Sequence, residues 1–175
     1  MKKFIKYSLY GLIYLFIVFI LAIIFMNSAK AELVKPNNSI EPHQVVKIQL
    51  RGLKYNDEPK KNNGIEQTWE FAHPFNKRYT GPLPKFINMI KSENYKMLLN
   101  HLDSEIIEIF KADEKYGFEV KILGQDKNYY KFQWIVEKYS NEGLLKDCWL
   151  TTSVSNPISL GSSILVKKLL FLCFL

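Results

Sequence analysis

Hydrophobic and polar positions divide the chain into three parts with different periodicities. The run from Tyr7 to Met26 is uncharged and almost wholly apolar, residues 41–91 repeat apolar side chains at helical spacing, and the residues after Ser92 alternate with a period of two. This order predicts an α+β fold: an N-terminal signal or transmembrane helix, then three helices packed on a curved antiparallel sheet of about four strands.

Three amphipathic helices are predicted between residues 41 and 91. The first begins near Pro42, because proline fits the first helical turn. The second follows Asn63, which is expected to cap it together with Glu66, and Pro74 ends it. The third begins at Thr80-Gly81-Pro82. The apolar faces are Val46, Leu50 and Leu53 in the first helix, Ile65, Trp69 and Ala72 in the second, and Leu83, Phe86, Ile87 and Ile90 in the third.

Four strands are predicted at residues 105–112, 118–123, 129–138 and 146–154, where apolar and charged side chains alternate. The connections between them are short and polar, as in hairpins. One face of such a meander must be buried, and the helices are its natural cover. A cone-like sheet with a pocket between the sheet and the helices is the simplest arrangement.

The amino terminus has the features of an export signal. Three lysines precede the apolar run, and Ser28-Ala29-Lys30-Ala31 fits an Ala-x-Ala cleavage site. The run is longer than a typical cleaved signal and long enough to span a bilayer, so cleavage after Ala31 and retention of residues 7–26 as a membrane anchor both fit. In either case the lysines stay in the cytoplasm, and the domain lies on the outer, periplasmic side of the cytoplasmic membrane.

These features predict four segments: a signal peptide or membrane anchor at residues 1–31, a linker at 32–40, an α+β domain at 41–155, and an apolar tail at 156–175. The tail carries Lys167 and Lys168 within its apolar run. Three interpretations of it stay open: a final strand, an interfacial helix, or a non-native end from a shifted reading frame.

The charge distribution argues against a nucleic-acid partner. The chain has a net charge of +7, but four of its 24 basic residues precede Glu32, which leaves 20 against 17 acidic residues from there onward. Lysines alternate with acids in that part, as on a solvated surface, whereas nucleic-acid binders usually show a basic stripe.

The motifs of metal and cofactor chemistry do not occur in the sequence. It has no HExxH, no glycine-rich phosphate loop and no Ser-His-Asp order that stands out, so we predict no metal and no cofactor. Cys148 and Cys173 lack metal or redox spacing. Cys148 is expected to be a buried free thiol, and a disulfide between the two cysteines is left open.

His101 and Asp103 are the weak candidates for catalysis. Two residues apart on an extended segment, their side chains would share a face, and a carboxylate beside an imidazole can make a general base. A structural hydrogen bond is the alternative. His73 is expected to donate to a helix-end carbonyl, and Arg78 is either an anion ligand or a solvated loop residue.

Large aromatic side chains are the candidates for ligand binding. Trp69, Phe86, Trp134 and Trp149 would line the pocket of a cone fold, although buried aromatics are also ordinary core residues. A small hydrophobic ligand or a protein partner would bind there.

Several short stretches between Gln44 and Thr152 resemble an uncharacterised family of small exported domains of unknown function. They are QVVKIQL, NDEP, GI, W-x-F-A, N-x-x-x-TGPL and CW-x-T, in that order. The helix-then-sheet layout of that family is similar to the cystatin-like cone of nuclear transport factor 2 and its relatives, which implies an open-ended pocket here. The resemblance implies no activity, and the tail after Ser155 departs from it.

Three hypotheses for function follow. The first is a non-catalytic, exported or membrane-anchored domain that binds a small ligand or a protein partner between its helices and its sheet. The second is a cone-fold isomerase, dehydratase or hydrolase that uses His101 and Asp103. The third is a self-assembling scaffold, a homodimer for example.

Overall fold

A computed structural model of the chain describes residues 14–20 and 32–162. Residues 14–20 are helical, and their apolar side chains are exposed. Within the described ranges, no helix is long and apolar enough to cross a membrane. The chain divides into one unit that ends at Glu32 and another that begins at Leu33. The rest of the predicted anchor at residues 7–26 and the cleavage site at Ala31 lie outside the described residues.

The second unit has helices first and an antiparallel sheet after them, which confirms the predicted α+β class. Its α-helices are α1 (Pro42–Lys54), α2 (Asn63–Glu70), α3 (Pro74–Thr80) and α4 (Leu83–Ile90), and a 3-10 helix follows at Lys96–Leu98. Its strands are β1 (Asp103–Ala112), β2 (Lys115–Leu123), β3 (Asn128–Lys138), β4 (Trp149–Val154) and β5 (Ile158–Ser162).

The sheet is a meander of β1, β2 and β3 whose far edge carries two strands. β4 pairs with one half of β3, where Trp134 lies opposite Val154, and β5 pairs with the other half, where Lys131 lies opposite Ile158. The sheet therefore has five strands, one more than predicted, and extends beyond residue 155. A final strand was one of the three interpretations of the tail, and β5 agrees with it for residues 158–162. The sequence did not decide for it because the strand is short, includes Gly161 and has exposed side chains in place of a buried face. The tail beyond Ser162, with its two lysines and Cys173, lies outside the described residues.

Helix α1 forms the centre of the layer that covers the sheet. Val45, Val46, Leu50 and Leu53 are buried, and burial of each such side chain stabilises the fold by roughly 1.5–3 kcal/mol. They meet the inward-facing residues of β2 and β3, which include Phe118, Val120, Ile122, Phe132, Trp134 and Val136. The opposite face of the sheet is charged and open to solvent, with cross-strand ion pairs such as Lys131–Glu119 at 3.1 Å.

Helices α1 and α2 cross where two glycines meet. A Cβ atom built on Gly64 would lie 1.8 Å from the carbonyl oxygen of Gly52, so no larger residue fits there without separating the helices. Asn56 secures the start of α2, because its carbonyl accepts from the Gly64 N–H at 2.9 Å and its Oδ1 accepts from the Ile65 N–H at 3.1 Å. The predicted cap by Asn63 and Glu66 is therefore wrong, since a residue from the preceding loop satisfies these donors.

Pro74, which was predicted only to end α2, is the first residue of helix α3. Proline ends α2 but also fits the first position of a new helix, and the His73 imidazole caps that helix by accepting from the Phe75 N–H at 3.1 Å. His73 thus accepts a hydrogen bond and does not donate to a helix-end carbonyl as expected. Burial lowers the pKa of His73, which favours the neutral ring that this bond requires.

The segment predicted as a linker is tied to helix α2. The side-chain amide of Gln67 accepts from the Val34 N–H and donates to the Val34 carbonyl, both at 2.8 Å. Lys35 Nζ lies 2.9 Å from a Glu70 carboxylate oxygen. The folded unit therefore includes residues 34 and 35, upstream of the boundary that the sequence predicted.

Candidate functional site

A cavity of about 90 Å³ lies between the helices and the sheet. Helices α1 to α4 and strands β3 and β4 contribute to its wall. Its apolar lining residues are Leu53, Ala72, Phe86, Met89, Ile90, Leu98, Trp134 and Val154, and its polar lining residues are Gln49, Thr68, Asn76, Thr80, Tyr95 and Thr151.

A buried polar cluster forms the floor of this cavity. Gln49 Oε1 accepts hydrogen bonds from the Trp134 indole N–H at 3.0 Å and from the Thr151 hydroxyl at 2.7 Å. Gln49 Nε2 donates to the Thr68 carbonyl at 3.1 Å, which links the cluster to α2. Buried polar groups of this kind are costly unless they are paired, and here one glutamine joins α1, α2, β3 and β4.

The mouth of the cavity lies where its lining residues become partly exposed: Asn76, Thr80, Met89, Tyr95 and Val154. Asn76 Nδ2 lies 3.4 Å from the Thr151 carbonyl, and Tyr95 Oη lies 3.4 Å from the Val154 carbonyl. Hydrogen bonds of this length are weak, so both groups can turn to a ligand at little cost. Burial raises the pKa of Tyr95, which keeps its phenol protonated as a donor.

Two of the four predicted ligand-binding aromatics line the cavity and two do not. Trp134 forms part of the floor and Phe86 part of the wall. Trp69 stands behind Phe86, with the ring centroids 4.9 Å apart. Trp149 lies elsewhere on the sheet and packs against Tyr116 at 5.1 Å.

The structure does not bring His101 and Asp103 together in the cavity. His101 is buried, and its Nδ1 lies 2.8 Å from the Leu98 carbonyl, so that nitrogen carries the proton and Nε2 is buried without a partner. Asp103 is exposed and accepts from the Ser104 N–H at 2.9 Å. Burial is the main cause that lowers the pKa of His101. Leu98 lines the cavity, so the hydrogen bond from His101 holds a residue of the cavity wall in place from outside the cavity.

Within the described part of the chain, no group of three or more His, Cys, Asp or Glu side chains is arranged to hold a metal ion. Cys148 is buried, as expected, and burial raises the pKa of its thiol.

The polar residues of the cavity were not identified from the sequence. Gln49 offered a signal, because it falls on the apolar stripe of α1, three residues after Val46 and four before Leu53. A polar side chain at such a position must find a buried partner. No such signal in the periodicity marks Thr151, Asn76 or Thr80. Their place in the cavity depends on which helices and strands pack together.

Comparison of the chain with protein-family models, curated proteins and solved structures found no match. The function of the cavity has to be inferred from its own geometry and chemistry.

Proposed function

We propose that this protein is a non-catalytic, exported or membrane-anchored domain that binds a small uncharged ligand between its helices and its sheet. The observation that carries the proposal is the cavity itself, with a hydrogen-bonded floor at Gln49, apolar walls and a partly exposed mouth. Ligand sites are commonly concave, mostly apolar and equipped with a few fixed polar groups.

The volume of the cavity limits the ligand. At about 90 Å³ it is smaller than the ~150 Å³ cavity that admits benzene. Benzene has six non-hydrogen atoms, so a cavity of this smaller volume holds about four in proportion, if its walls do not move. Larger ligands would have to extend through the mouth between Thr80 and Tyr95.

The chemistry of the lining limits the ligand further. Among the described residues that form it, none carries an acidic or basic side chain, and Tyr95 is the one with a titratable proton. A buried ion would have no partner there and would cost several kcal/mol. A neutral molecule with one polar group and an apolar remainder fits best.

The resemblance noted in the sequence supports the same location. The stretches on which it rests include Gln49, Ala72, Asn76, Thr80 and Thr151, which are far apart in sequence and all line the cavity. We take the curved sheet and its helices as a cystatin-like cone with the cavity in its opening, by analogy with that family's layout.

The location outside the cytoplasmic membrane is part of the proposal. The exposed, uniformly apolar helix at residues 14–20 supports it, because a helix that is hydrophobic on all sides needs a nonpolar environment. The lysines that precede this helix favour export of the folded unit.

The test uses the full chain in detergent micelles and ligand-observed NMR with acetamide and 1-propanol as probes, two neutral molecules that match the volume of the cavity. We expect saturation transfer to at least one probe, and loss of it in Thr80→Leu, which enlarges a residue of the mouth. Thr152→Leu is the control, because Thr152 lies on β4 outside the lining. Absence of transfer to both probes in the wild type, or equal transfer in Thr80→Leu, would contradict the proposal.

The placement of His101 and Asp103 favours binding over catalysis. An enzyme that used this pair would need both side chains in the pocket, whereas His101 lies behind the wall and Asp103 faces solvent. The isomerase, dehydratase or hydrolase hypothesis therefore has less support than ligand binding.

Self-assembly is a second candidate because of edge strand β1. Among the described strands, only β2 pairs with β1, and Ile107, Ile109 and Phe110 are exposed along it. A bulge at Ile109 turns Glu108 and Lys111 to the same face, opposite Phe118 and Tyr116. A twofold axis between Ile109 and Phe110 would set Glu108 of each copy opposite Lys111 of the other, which favours antiparallel pairing of two chains.

A further inference from the structure

The exposed side of helix α3 combines aromatic and basic side chains. Phe75 and Tyr79 are one turn apart, with 48% and 75% of their surfaces exposed and their ring centroids separated by 4.9 Å. The Arg78 guanidinium lies 5.7 Å from the centre of the Phe75 ring. Aromatic rings beside cationic side chains are typical of helices that lie in the interface between water and lipid headgroups.

The sequence around this helix is basic over a long stretch. Between Glu70 and Glu93 the chain has no acidic residue and four basic ones: Lys77, Arg78, Lys85 and Lys91. Arg78 on α3 and Lys85 on α4 are exposed, and so is Lys91, which directly follows α4. Anionic lipid would therefore meet no opposing carboxylate from these two helices, and each exposed cation would add to the attraction.

The attachment point of the chain lies beside the same helix. Val34 is fixed to Gln67, and Lys35 to Glu70. Trp69 directly precedes Glu70 in α2. The Nζ atom of Lys77, which belongs to α3, lies 5.3 Å from the centroid of the Trp69 ring. The point at which residues 34 and 35 join the domain is thus adjacent to α3.

The length of the connecting segment restricts where α3 can be. From Met26, the end of the apolar run, to Val34 the chain spans eight residues, or at most about 28 Å at ~3.5 Å per residue. If residues 7–26 stay in the bilayer, the side of the domain that bears α3 cannot move far from its surface.

We propose that helix α3 docks on the anionic membrane surface, with Phe75 and Tyr79 among the lipid headgroups and Arg78 and Lys85 against their phosphates. This inference rests on one of the two alternatives left open above, the retention of residues 7–26 as a membrane anchor, and it is independent of ligand binding. Docking would place the mouth of the cavity, which Asn76 and Thr80 of the same helix line, close to the lipid surface.

The test places a nitroxide spin label on Tyr79→Cys in the full chain, in a Cys173→Ser background and in nanodiscs of phosphatidylcholine with phosphatidylglycerol. Cys148 is buried and remains unlabelled. The matched site is Ser104→Cys on β1, the sheet edge opposite β4. We expect accessibility of the label to a water-soluble nickel chelate to be several-fold lower at position 79 than at 104.

A charge variant separates docking from mere proximity. The double variant Arg78→Gln, Lys85→Gln should lower the ratio of docked to undocked protein, reported by the label at position 79, on the order of tenfold in the anionic nanodiscs. The reason is that each of the two cations is attracted to anionic lipid. Lys47→Gln with Lys61→Gln removes the same charge from other exposed sites and should leave the ratio unchanged.

Equal chelate accessibility at positions 79 and 104 in protein that is integrated in the nanodisc would overturn docking while the anchor stands. Recovery of the protein outside the nanodiscs, as a shorter chain without its first 31 residues, would overturn both the anchor and the docking. Neither result bears on ligand binding by the cavity. The NMR experiment tests that binding separately, in detergent micelles without a lipid bilayer.

Discussion

At the scale of single residues, Gln49 does most to determine the character of the cavity. It is a polar residue on an otherwise apolar helix face, and it joins Trp134, Thr151 and the Thr68 carbonyl. A leucine would fill nearly the same space but leave these groups without their common partner. One side chain thus joins the polar groups of the cavity floor.

We predict that Gln49→Leu lowers the free energy of unfolding by about 1–3 kcal/mol, because it leaves the Thr68 carbonyl unpaired and the Trp134 indole with a single partner. Urea denaturation would measure the change. Gln133→Leu is the control: Gln133 is exposed on β3, and its replacement should change stability by less than about 0.5 kcal/mol. Equal effects would show that the buried cluster contributes nothing.

His101 gives the protein an acid-sensitive position. Burial holds its pKa below the ordinary value of 6.5, so the unfolded chain binds the proton more readily than the folded one. The stability due to the neutral ring is therefore complete above pH 6.5 and is lost as the pH falls toward the lowered pKa.

We predict that His101→Gln, which can still donate to the Leu98 carbonyl, makes unfolding less sensitive to acid. Between pH 7.5 and 5 the wild type should lose about 1 kcal/mol more stability than the variant for each unit by which the pKa is lowered. Denaturation at both pH values measures this difference. Parallel losses in the two proteins would mean that His101 is not the group that titrates.

At the scale of secondary structure elements, the close crossing of α1 and α2 sets the width of the helical layer. The layer can be thin there because both residues at the crossing are glycines, Gly52 and Gly64. This approach helps Gln49 of α1 to reach the Thr68 carbonyl of α2.

We predict that Gly64→Ala destabilises the protein by more than about 3 kcal/mol, because its Cβ would overlap the backbone of α1 and the helices would have to separate. Gly52→Ala is the comparison. Its Cβ would lie 3.1 Å from the nearest atom, the Gly64 carbonyl oxygen, and helix propensity offsets part of that strain by up to ~1 kcal/mol. Thermal unfolding by circular dichroism should rank Gly64→Ala well below Gly52→Ala, and the reverse order would be inconsistent with this crossing.

At the scale of the whole molecule, the two sides of the fold suit different contacts. The helical side carries the cavity and the aromatic and basic surface of α3. The β1 edge of the sheet carries the exposed residues Ile107, Ile109 and Phe110. A membrane contact by α3 and a second copy at β1 would occupy separate surfaces.

We predict that the full chain sediments as a dimer in mild detergent and that Ile109→Lys makes it a monomer. Ile158→Lys changes an equally exposed isoleucine on β5 and should leave the dimer intact. Glu108→Lys should weaken the dimer, and the double exchange Glu108→Lys with Lys111→Glu should restore it, because the two charges meet across the axis. A monomeric wild type would refute self-assembly.

The sequence by itself determined the class of the fold and most of its helices and strands. Its periodicities are local consequences of burial, so Val46, Leu50 and Leu53 predicted α1, and the alternation around Phe132 and Trp134 predicted β3. Sequence reasoning was wrong where a residue has two local uses, as Pro74 does, and at Asn63, where the partner comes from another loop.

Only the tertiary structure decided which side chains form the candidate site. Gln49, Thr68, Asn76 and Thr151 meet because α1, α2, α3 and β4 pack together, and no spacing along the chain encodes that meeting. The same packing left His101, Asp103 and Trp149 outside the lining of the cavity. Periodicity tells which face of an element is buried, but the neighbour that covers it depends on long-range contacts.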